Sequence, residues 1–119
     1  MQRDSRLRRR SDFQSAIGGR RFHSGRAVVG FAVPSGGPNN RIGVTVSRAI
    51  KGSVERNRAR RRLREVAREQ FGGADSPLSQ VGIRYDVVLI ARPAALEVSF
   101  ADLRAEASLA ALRLAKLTP

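Results

Sequence analysis

Residues 55–68 hold seven arginines, yet their apolar residues follow the period of an α-helix. At about 100° per residue the apolar side chains fall into one narrow stripe, a spacing that a flexible basic tail would not need. This stripe consists of Ala59, Leu63, Val66 and Ala67. We therefore predict a helix from about Val54 to Phe71, which the glycine pair 72–73 ends and whose other faces carry guanidinium groups.

The positive charge is concentrated in the first part of the chain, whose 119 residues carry a formal net charge of +13. Residues 1–71 contain 18 basic and 5 acidic side chains, whereas residues 72–119 contain 5 of each. This asymmetry favours a face that binds a polyanion, and RNA is the polyanion we expect. The length predicts a single RNA-binding domain, residues 1–119, in which residues 1–10 form a flexible basic N-terminus.

Charge balance within the predicted helix separates two interpretations of its arginines. The residues opposite the apolar stripe are Asn57, Arg61, Arg64 and Arg68, and those on the flank are Arg58, Arg62, Glu65 and Glu69. Apart from Glu55 at the helix start, two glutamates cannot neutralise seven arginines, so phosphate binding is favoured over a solvated face held by local ion pairs. Asn57, near the helix start, fits both a local cap and a hydrogen bond to RNA.

Two further helices are predicted from their end signals. Ser11 and Gln14 fit a capping box for a short helix that ends at the glycine pair 18–19. Ser99 caps a final helix, with Asp102 near its positive end. The core stripe of that helix is predicted to be Leu103, Ala107, Ala110, Leu114 and Leu117.

Three apolar runs predict strands. The runs at 27–33 and 41–47 flank a turn rich in glycine, proline and asparagine, which predicts an antiparallel hairpin. The nearly continuous run at 85–91 is typical of a central strand covered on both faces. The element order is helix, strand, strand, helix, strand, helix. It predicts an α+β fold, a small single-domain α/β sandwich with helices packed on a central sheet of about four strands.

Protein-based catalysis finds little support in the composition. The chain has no cysteine, which excludes disulfides, thiolate metal sites and cysteine nucleophiles. Its single histidine, His23, is predicted to be a solvated loop residue rather than a general base, and the few carboxylates lack metal-ligand spacing. No run predicts a membrane span or a secretory signal, so we expect a cytoplasmic protein with no membrane partner; no protein partner is evident.

Four sequence motifs resemble those of the bacterial ribonuclease P protein component. Residues 42–48 (Ile-Gly-Val-Thr-Val-Ser-Arg) precede residues 54–61 (Val-Glu-Arg-Asn-Arg-Ala-Arg-Arg), which contain an Arg-Asn-Arg signature. Asp12-Phe13 and residues 86–93 (Asp-Val-Val-Leu-Ile-Ala-Arg-Pro) match in the same order. The resemblance spans about residues 7–115. It implies a left-handed crossover through the arginine helix, against the usual rule for parallel strands.

The resemblance also implies a function and its sites. The protein would bind the catalytic RNA of ribonuclease P, which removes the 5′ leader of precursor tRNA with Mg²⁺ held mainly by the RNA; the protein would supply no catalytic or metal-binding residue. The implied RNA-binding residues are Arg56, Asn57, Arg58, Arg60, Arg61, Arg62, Arg64 and Arg68. The implied leader-binding cleft comprises Phe13, Ile17, Phe31, Ser47 and Arg48.

Two further alternatives stay open at this point. Phe13 and Phe31 suit core packing as well as stacking on unpaired bases. Ile17 stands where the family usually has an aromatic residue, which weakens stacking there. A basic ribosomal protein or RNA chaperone without a role in cleavage would share the arginine helix. A DNA-binding module is disfavoured, because base readout usually needs a mixed polar set rather than arginine at most exposed positions.

Overall fold

The computed structural model describes residues 6–35, 37, 39–72, 76–80 and 84–117. These residues form three α-helices, four strands and two short 3₁₀ turns. The helices are α1 (Arg10–Ile17), α2 (Ser53–Phe71) and α3 (Phe100–Lys116). The strands are β1 (Arg20–Ser24), β2 (Val28–Pro34), β3 (Arg41–Val46) and β4 (Tyr85–Ala91), and the turns are Pro77–Gln80 and Pro93–Leu96. The α+β fold with a four-stranded sheet is confirmed.

The strands form one mixed sheet in the order β1-β2-β4-β3. β2 pairs antiparallel with β1 and β4, whereas β3 pairs parallel with β4. The predicted hairpin between β2 and β3 is therefore wrong, because β4 lies between them. The reason is the composition of β4, whose apolar run is buried on both faces and takes an interior place, as predicted. The parallel pair is joined through α2, the connection for which the resemblance implies a left-handed crossover.

β1 was not predicted from the sequence. This strand reads Arg-Arg-Phe-His-Ser and lacks an apolar run, and a bulge interrupts its pairing between Arg21 and His23. Phe22 covers Gly30 of β2, since a Cβ on that glycine would lie 2.6 Å from the Phe22 ring. The ring also packs against Phe71 at the end of α2, with centroids 6.3 Å apart. One buried aromatic residue thus anchors an edge strand whose sequence lacks the alternating apolar pattern by which strands are predicted.

The main core lies between the sheet and the pair α2 and α3. The predicted α2 stripe is confirmed: Ala59, Leu63, Val66 and Ala67 are each 0% exposed. The α3 stripe is confirmed as well, since Leu103, Ala107, Ala110 and Leu114 are buried and Leu117 is half-buried. Ser99 caps α3 as predicted, and its Oγ accepts a hydrogen bond from the Asp102 N–H (3.0 Å). This packing fixes which side of α2 faces outward.

The helix α1 covers part of the opposite face of the sheet, where Ala16, Leu7 and Val88 form a second buried cluster. α1 begins at Arg10, and no side chain caps it, so the predicted capping box at Ser11 is wrong. The N-cap is Arg9, so α1 starts two residues earlier than the box requires, shortly after the buried Leu7. The helix ends before Gly18, as predicted.

An ion-pair cluster links α1 to the two parallel strands. Arg41 of β3 donates to both carboxylate oxygens of Asp86 on β4 (2.9 and 2.7 Å) and lies 3.5 Å from Asp12 of α1. The hydrogen bond to Asp86 raises the pKa of Arg41, against the opposing effect of burial. The pair compensates the charge of the buried Asp86 and orients α1 on the sheet.

Candidate nucleic-acid interface

The outward side of α2 carries a continuous basic surface. Five arginines and one asparagine form it, and we call this set the outer arginine face: Asn57, Arg58, Arg60, Arg61, Arg64 and Arg68. All are exposed except Arg60 and Arg64, which are half-buried. An open depression on this surface is lined by Val54, Asn57, Arg60, Arg61 and Arg64. The exposed face follows directly from burial of the apolar stripe on the other side of the helix.

Two arginines that the resemblance assigned to RNA binding have backbone partners within the protein. Arg56 donates through Nη1 to the carbonyl oxygens of Ser47 (2.9 Å) and Ile50 (3.0 Å). Arg62 donates through Nε to the carbonyl of Ala95 (2.9 Å) and through Nη2 to that of Val98. These bonds satisfy backbone carbonyl groups in the segment after β3 and in the segment before α3. Sequence spacing could not reveal the bonds of Arg62, because Ala95 and Val98 are distant from it along the chain.

Asn57 orients Arg60 rather than capping the helix. Its Oδ1 accepts a hydrogen bond from Arg60 Nη1 (2.9 Å), while the residue before α2 is Gly52, which has φ of 84°. A side chain at Gly52 would be strained in that conformation and would also meet the Glu55 carboxylate, 2.2 Å from the Cβ position. The glycine thus starts the helix, and the asparagine belongs to the exposed face.

Among the described residues, the ion pairs of α2 lie at the far end of the helix. Arg68 pairs with Glu65, and Glu69 accepts from Arg104 of α3 (3.0 Å). Burial, followed by the positive charges of Arg6 and Arg60, lowers the pKa of Arg64. The guanidinium groups nearest Arg64 therefore repel its charge, and the local excess of positive charge predicted from the sequence is present in the structure.

The predicted cleft residues divide between two places. Phe31 on β2 and Gly43 on β3 lie in one row across the sheet, through Val88 of β4. The Phe13 ring covers Gly43, where a Cβ would lie 2.5 Å from it. Phe13 and Phe31 are both half-buried on this face, so each combines packing with an accessible surface. Ile17, at the end of α1, is 40% exposed.

Ser47 and Arg48 follow the carboxyl end of β3, at the end of the sheet. Ser47 Oγ accepts from the Ala49 N–H (3.1 Å), and Arg48 is exposed. The sheet surface that extends from the aromatic row towards these residues, on the same side of the sheet as α1, we call the open sheet face. It consists of the half-buried side chains Val29, Phe31, Thr45 and Ile90.

Two basic residues beside the open sheet face were absent from the predicted site. Arg21 of β1 is exposed and pairs in register with Phe31. Arg92, just after β4, donates through Nη2 to Ser24 Oγ (3.1 Å). Both flank the face that the resemblance assigns to the leader. Arg21 was missed because β1 itself was not predicted; the motif of residues 86–93 was a signal for Arg92.

The prediction for His23 is wrong. The residue is 3% exposed, its Nδ1 lies 2.9 Å from Arg113 Nη1, and its Nε2 lies 2.9 Å from Glu106 Oε2. Since arginine only donates, Nδ1 accepts and the proton on Nε2 is donated to the carboxylate. Glu106 also accepts from the N–H groups of Ala27 (3.0 Å) and Val28 (2.9 Å). We call this group the buried histidine network.

The described residues hold no group of three or more histidine, cysteine or acidic side chains that could bind a metal ion. Their helices include none that is long and apolar enough to cross a membrane. What the geometry brings together is a basic helix face and a partly apolar sheet face with basic margins. Such a pair of surfaces suits phosphate binding on one side and stacking of unpaired bases on the other.

Comparison with known proteins identifies the family. The Ribonuclease P family model matches residues 1–115. The ribonuclease P protein component of Acidothermus cellulolyticus is 38% identical over 103 residues, covering 85% of this chain and 80% of that protein. That of Symbiobacterium thermophilum is 38% identical and covers 87% and 85%. The RNase P protein structure from Thermotoga maritima has a TM-score of 0.71 at 26% identity, covering 91% of this chain and 96% of that one. The chain therefore belongs to the ribonuclease P protein component family and is a protein subunit of ribonuclease P in tRNA 5′ processing.

Proposed function

We propose that the outer arginine face binds the catalytic RNA of ribonuclease P. The observation that carries this proposal is the lack of internal neutralisation: among the described residues, Arg58, Arg61 and Arg64 have no carboxylate partner. Uncompensated guanidinium groups on one rigid helix favour an external polyanion, and each phosphate contact releases counterions from the RNA. Arg56 and Arg62 contribute by holding α2 in place.

The open sheet face would hold the single-stranded 5′ leader of precursor tRNA. Phe31 and Phe13 offer aromatic surface for stacking without sequence readout. Arg21, Arg48 and Arg92 provide positive charge at the margins of this face. The two RNA ligands would therefore occupy different sides of the protein, the catalytic RNA beside α2 and the leader beside α1.

Catalysis would belong to the RNA subunit. The carboxylates of Asp86 and Glu106 are bonded within the protein, so these residues do not fit a resident Mg²⁺ ion, which we assign mainly to the RNA. The protein would neutralise phosphate repulsion and position the leader. We place the complex in the cytoplasm, where precursor tRNA is available.

Reconstitution tests the proposal. The protein is added to ribonuclease P RNA at a low Mg²⁺ concentration that does not support cleavage by RNA alone, and release of the 5′ leader is measured. We expect cleavage with the unaltered protein and strongly reduced cleavage with a variant carrying Arg58→Ala, Arg61→Ala and Arg64→Ala. Lys116→Ala, on the electroneutral part of the chain, is the control and should behave as the unaltered protein. RNA binding without restored cleavage would instead support a basic RNA chaperone.

A further inference from the structure

The segment before α1 lies along the outer edge of β3, the last strand of the sheet. The Leu7 N–H donates to the Ile42 carbonyl (3.1 Å), and Arg6 forms a parallel bridge with Ile42. Leu7 is 6% exposed. Its Cβ lies 3.1 Å from the position of a Cβ on Gly43. Arg6 and Leu7, which belong to the N-terminus predicted to be flexible, are thus docked on the sheet edge; residues 1–5 lie outside the described residues.

The register of this bridge decides where the Arg6 side chain lies. Residues paired in a bridge share a face, and successive residues of an extended segment alternate between faces. Ile42 belongs to the core under α2, whereas Leu7 belongs to the cluster under α1. Arg6 therefore lies on the α2 side of the sheet edge. Its positive charge is one of the causes that lower the pKa of Arg64, which agrees with this placement.

Arg6 therefore lies on the same side of the sheet edge as Arg60 and Arg64 of α2. Arg60 is held by Asn57 at 2.9 Å, Arg60 and Arg64 line one open depression, and the positive charges of Arg6 and Arg60 both act on Arg64. In the part of the chain that the structure describes, none of the three pairs with a carboxylate. Crowded like charges raise the energy of the free protein, and a bound phosphate would relieve this repulsion. Guanidinium groups also bind phosphate oxygens in a bidentate manner.

We propose that Arg6, Arg60 and Arg64 form one phosphate-binding site for the RNA partner and that Leu7 is the residue that positions Arg6. The inference rests on the proposed function and extends the RNA interface from α2 across the sheet edge to the N-terminal segment. The site joins an arginine outside the helical run to two within it. Its existence depends on the β3 edge being available for the parallel bridge.

A double-mutant cycle tests this site. Affinity for ribonuclease P RNA is measured over a range of salt concentrations for the full chain and for Arg6→Ala, Arg64→Ala and the double variant. We expect each single change to weaken binding roughly 3–10-fold and to reduce the salt slope by about one unit. The double variant should lose less than the product of the two single losses, because the residues share a phosphate and repel each other in the free protein.

Arg10→Ala is the matched control. Arg10 is an exposed arginine of the same N-terminal basic run, and it begins α1 on the other side of Leu7. Arg10→Ala should weaken RNA binding less than Arg6→Ala does. Combined with Arg64→Ala, its fold-loss of affinity should multiply with that of Arg64→Ala, as expected for independent sites. If Arg6→Ala equals Arg10→Ala and also combines multiplicatively with Arg64→Ala, the shared site is refuted. If the unaltered protein neither binds the RNA nor restores cleavage, the proposed function itself is overturned.

Leu7→Ala tests the positioning role, because it keeps every charge. We expect RNA affinity to fall towards that of Arg6→Ala and the coupling between Arg6 and Arg64 to disappear. Since the change also removes buried surface, binding is measured at a temperature at which circular dichroism shows the variant folded. Ala16→Gly, in the same buried cluster, serves as the stability control and should leave the coupling intact. Unchanged coupling in folded Leu7→Ala would refute the anchoring role.

Discussion

The buried histidine network and the outer arginine face are both built from charged and polar side chains, but they satisfy those groups in opposite ways. In the network, both ring nitrogens of His23 and both carboxylate oxygens of Glu106 have partners inside the protein. On the outer face, Arg58, Arg61 and Arg64 have no carboxylate partner among the described residues. Buried polar groups must be satisfied within the fold, whereas exposed cations without an internal partner are hydrated and remain free to bind a partner outside it.

The same contrast exists within α2 itself. Arg56 and Arg62 donate to backbone carbonyls and join neighbouring segments of the fold. Arg58 and Arg61, in the same run of residues, point to solvent. Identical side chains thus either bond within the fold or remain exposed for the proposed RNA contact, depending on the angle at which the helix presents them. Substitutions should therefore separate into changes of stability and changes of RNA binding.

The largest effect is expected in the buried histidine network. Glu106→Ala removes the acceptor of His23 Nε2–H and of the Ala27 and Val28 N–H groups. Leaving these donors unpaired should lower the free energy of unfolding by about 2–4 kcal/mol. Urea denaturation followed by circular dichroism measures this loss. Glu65→Ala removes an exposed ion pair with Arg68 and should cost less than about 0.5 kcal/mol. Equal losses of unfolding free energy in Glu106→Ala and Glu65→Ala would contradict the difference between the buried network and the exposed helix surface.

The next effect concerns Arg62, which the resemblance assigns to RNA binding and which donates to two backbone carbonyls. Arg62→Ala leaves the carbonyls of Ala95 and Val98 without their donors. We expect the free energy of unfolding to fall by about 1–3 kcal/mol, with little change in the salt slope of RNA binding. Arg58→Ala, one turn earlier and exposed, is the control. It should leave the free energy of unfolding nearly unchanged and reduce the salt slope of RNA binding. A reduced salt slope for Arg62→Ala at unchanged stability would return this residue to the RNA-binding set.

The sequence predicted features that follow from a periodic pattern along one element. It did not predict features that depend on contacts between distant segments. The helical period placed the buried stripe of α2 correctly at every position, and the apolar run of β4 correctly predicted an interior strand. Both signals are local, because burial of a face requires a matching pattern along one element. The same period could not place Arg62, whose partners come from a segment far along the chain.

The wrong predictions share a physical cause, which is tertiary pairing without a local pattern. β1 has a single buried apolar side chain, so its pairing with β2 was invisible, and His23 was consequently placed in solvent. The insertion of β4 between β2 and β3 depends on competition among strands rather than on the turn between two of them. The docking of Leu7 against Ile42 likewise requires knowledge of which strand is left at the edge.

A smaller effect is expected on the open sheet face. Phe31→Ala removes a half-buried ring that pairs in register with Arg21 and Val88. If the leader stacks there, discrimination between precursor and mature tRNA by the reconstituted complex should fall by about 1–2 kcal/mol, while binding of the catalytic RNA is retained. Phe31→Tyr keeps the ring and should retain discrimination. Preserved discrimination in folded Phe31→Ala would show that this ring only packs.

The smallest effect is expected for a single arginine of the outer face. Arg61→Ala removes one exposed guanidinium without an internal partner, so the free energy of unfolding should stay within about 0.5 kcal/mol of the unaltered value. Affinity for the catalytic RNA should fall several-fold, and the salt slope should decrease by about one unit. Arg61→Lys keeps the charge and should retain the slope while losing part of the affinity, because lysine cannot form the bidentate contact. An unchanged slope for Arg61→Ala would exclude a direct phosphate contact at this position.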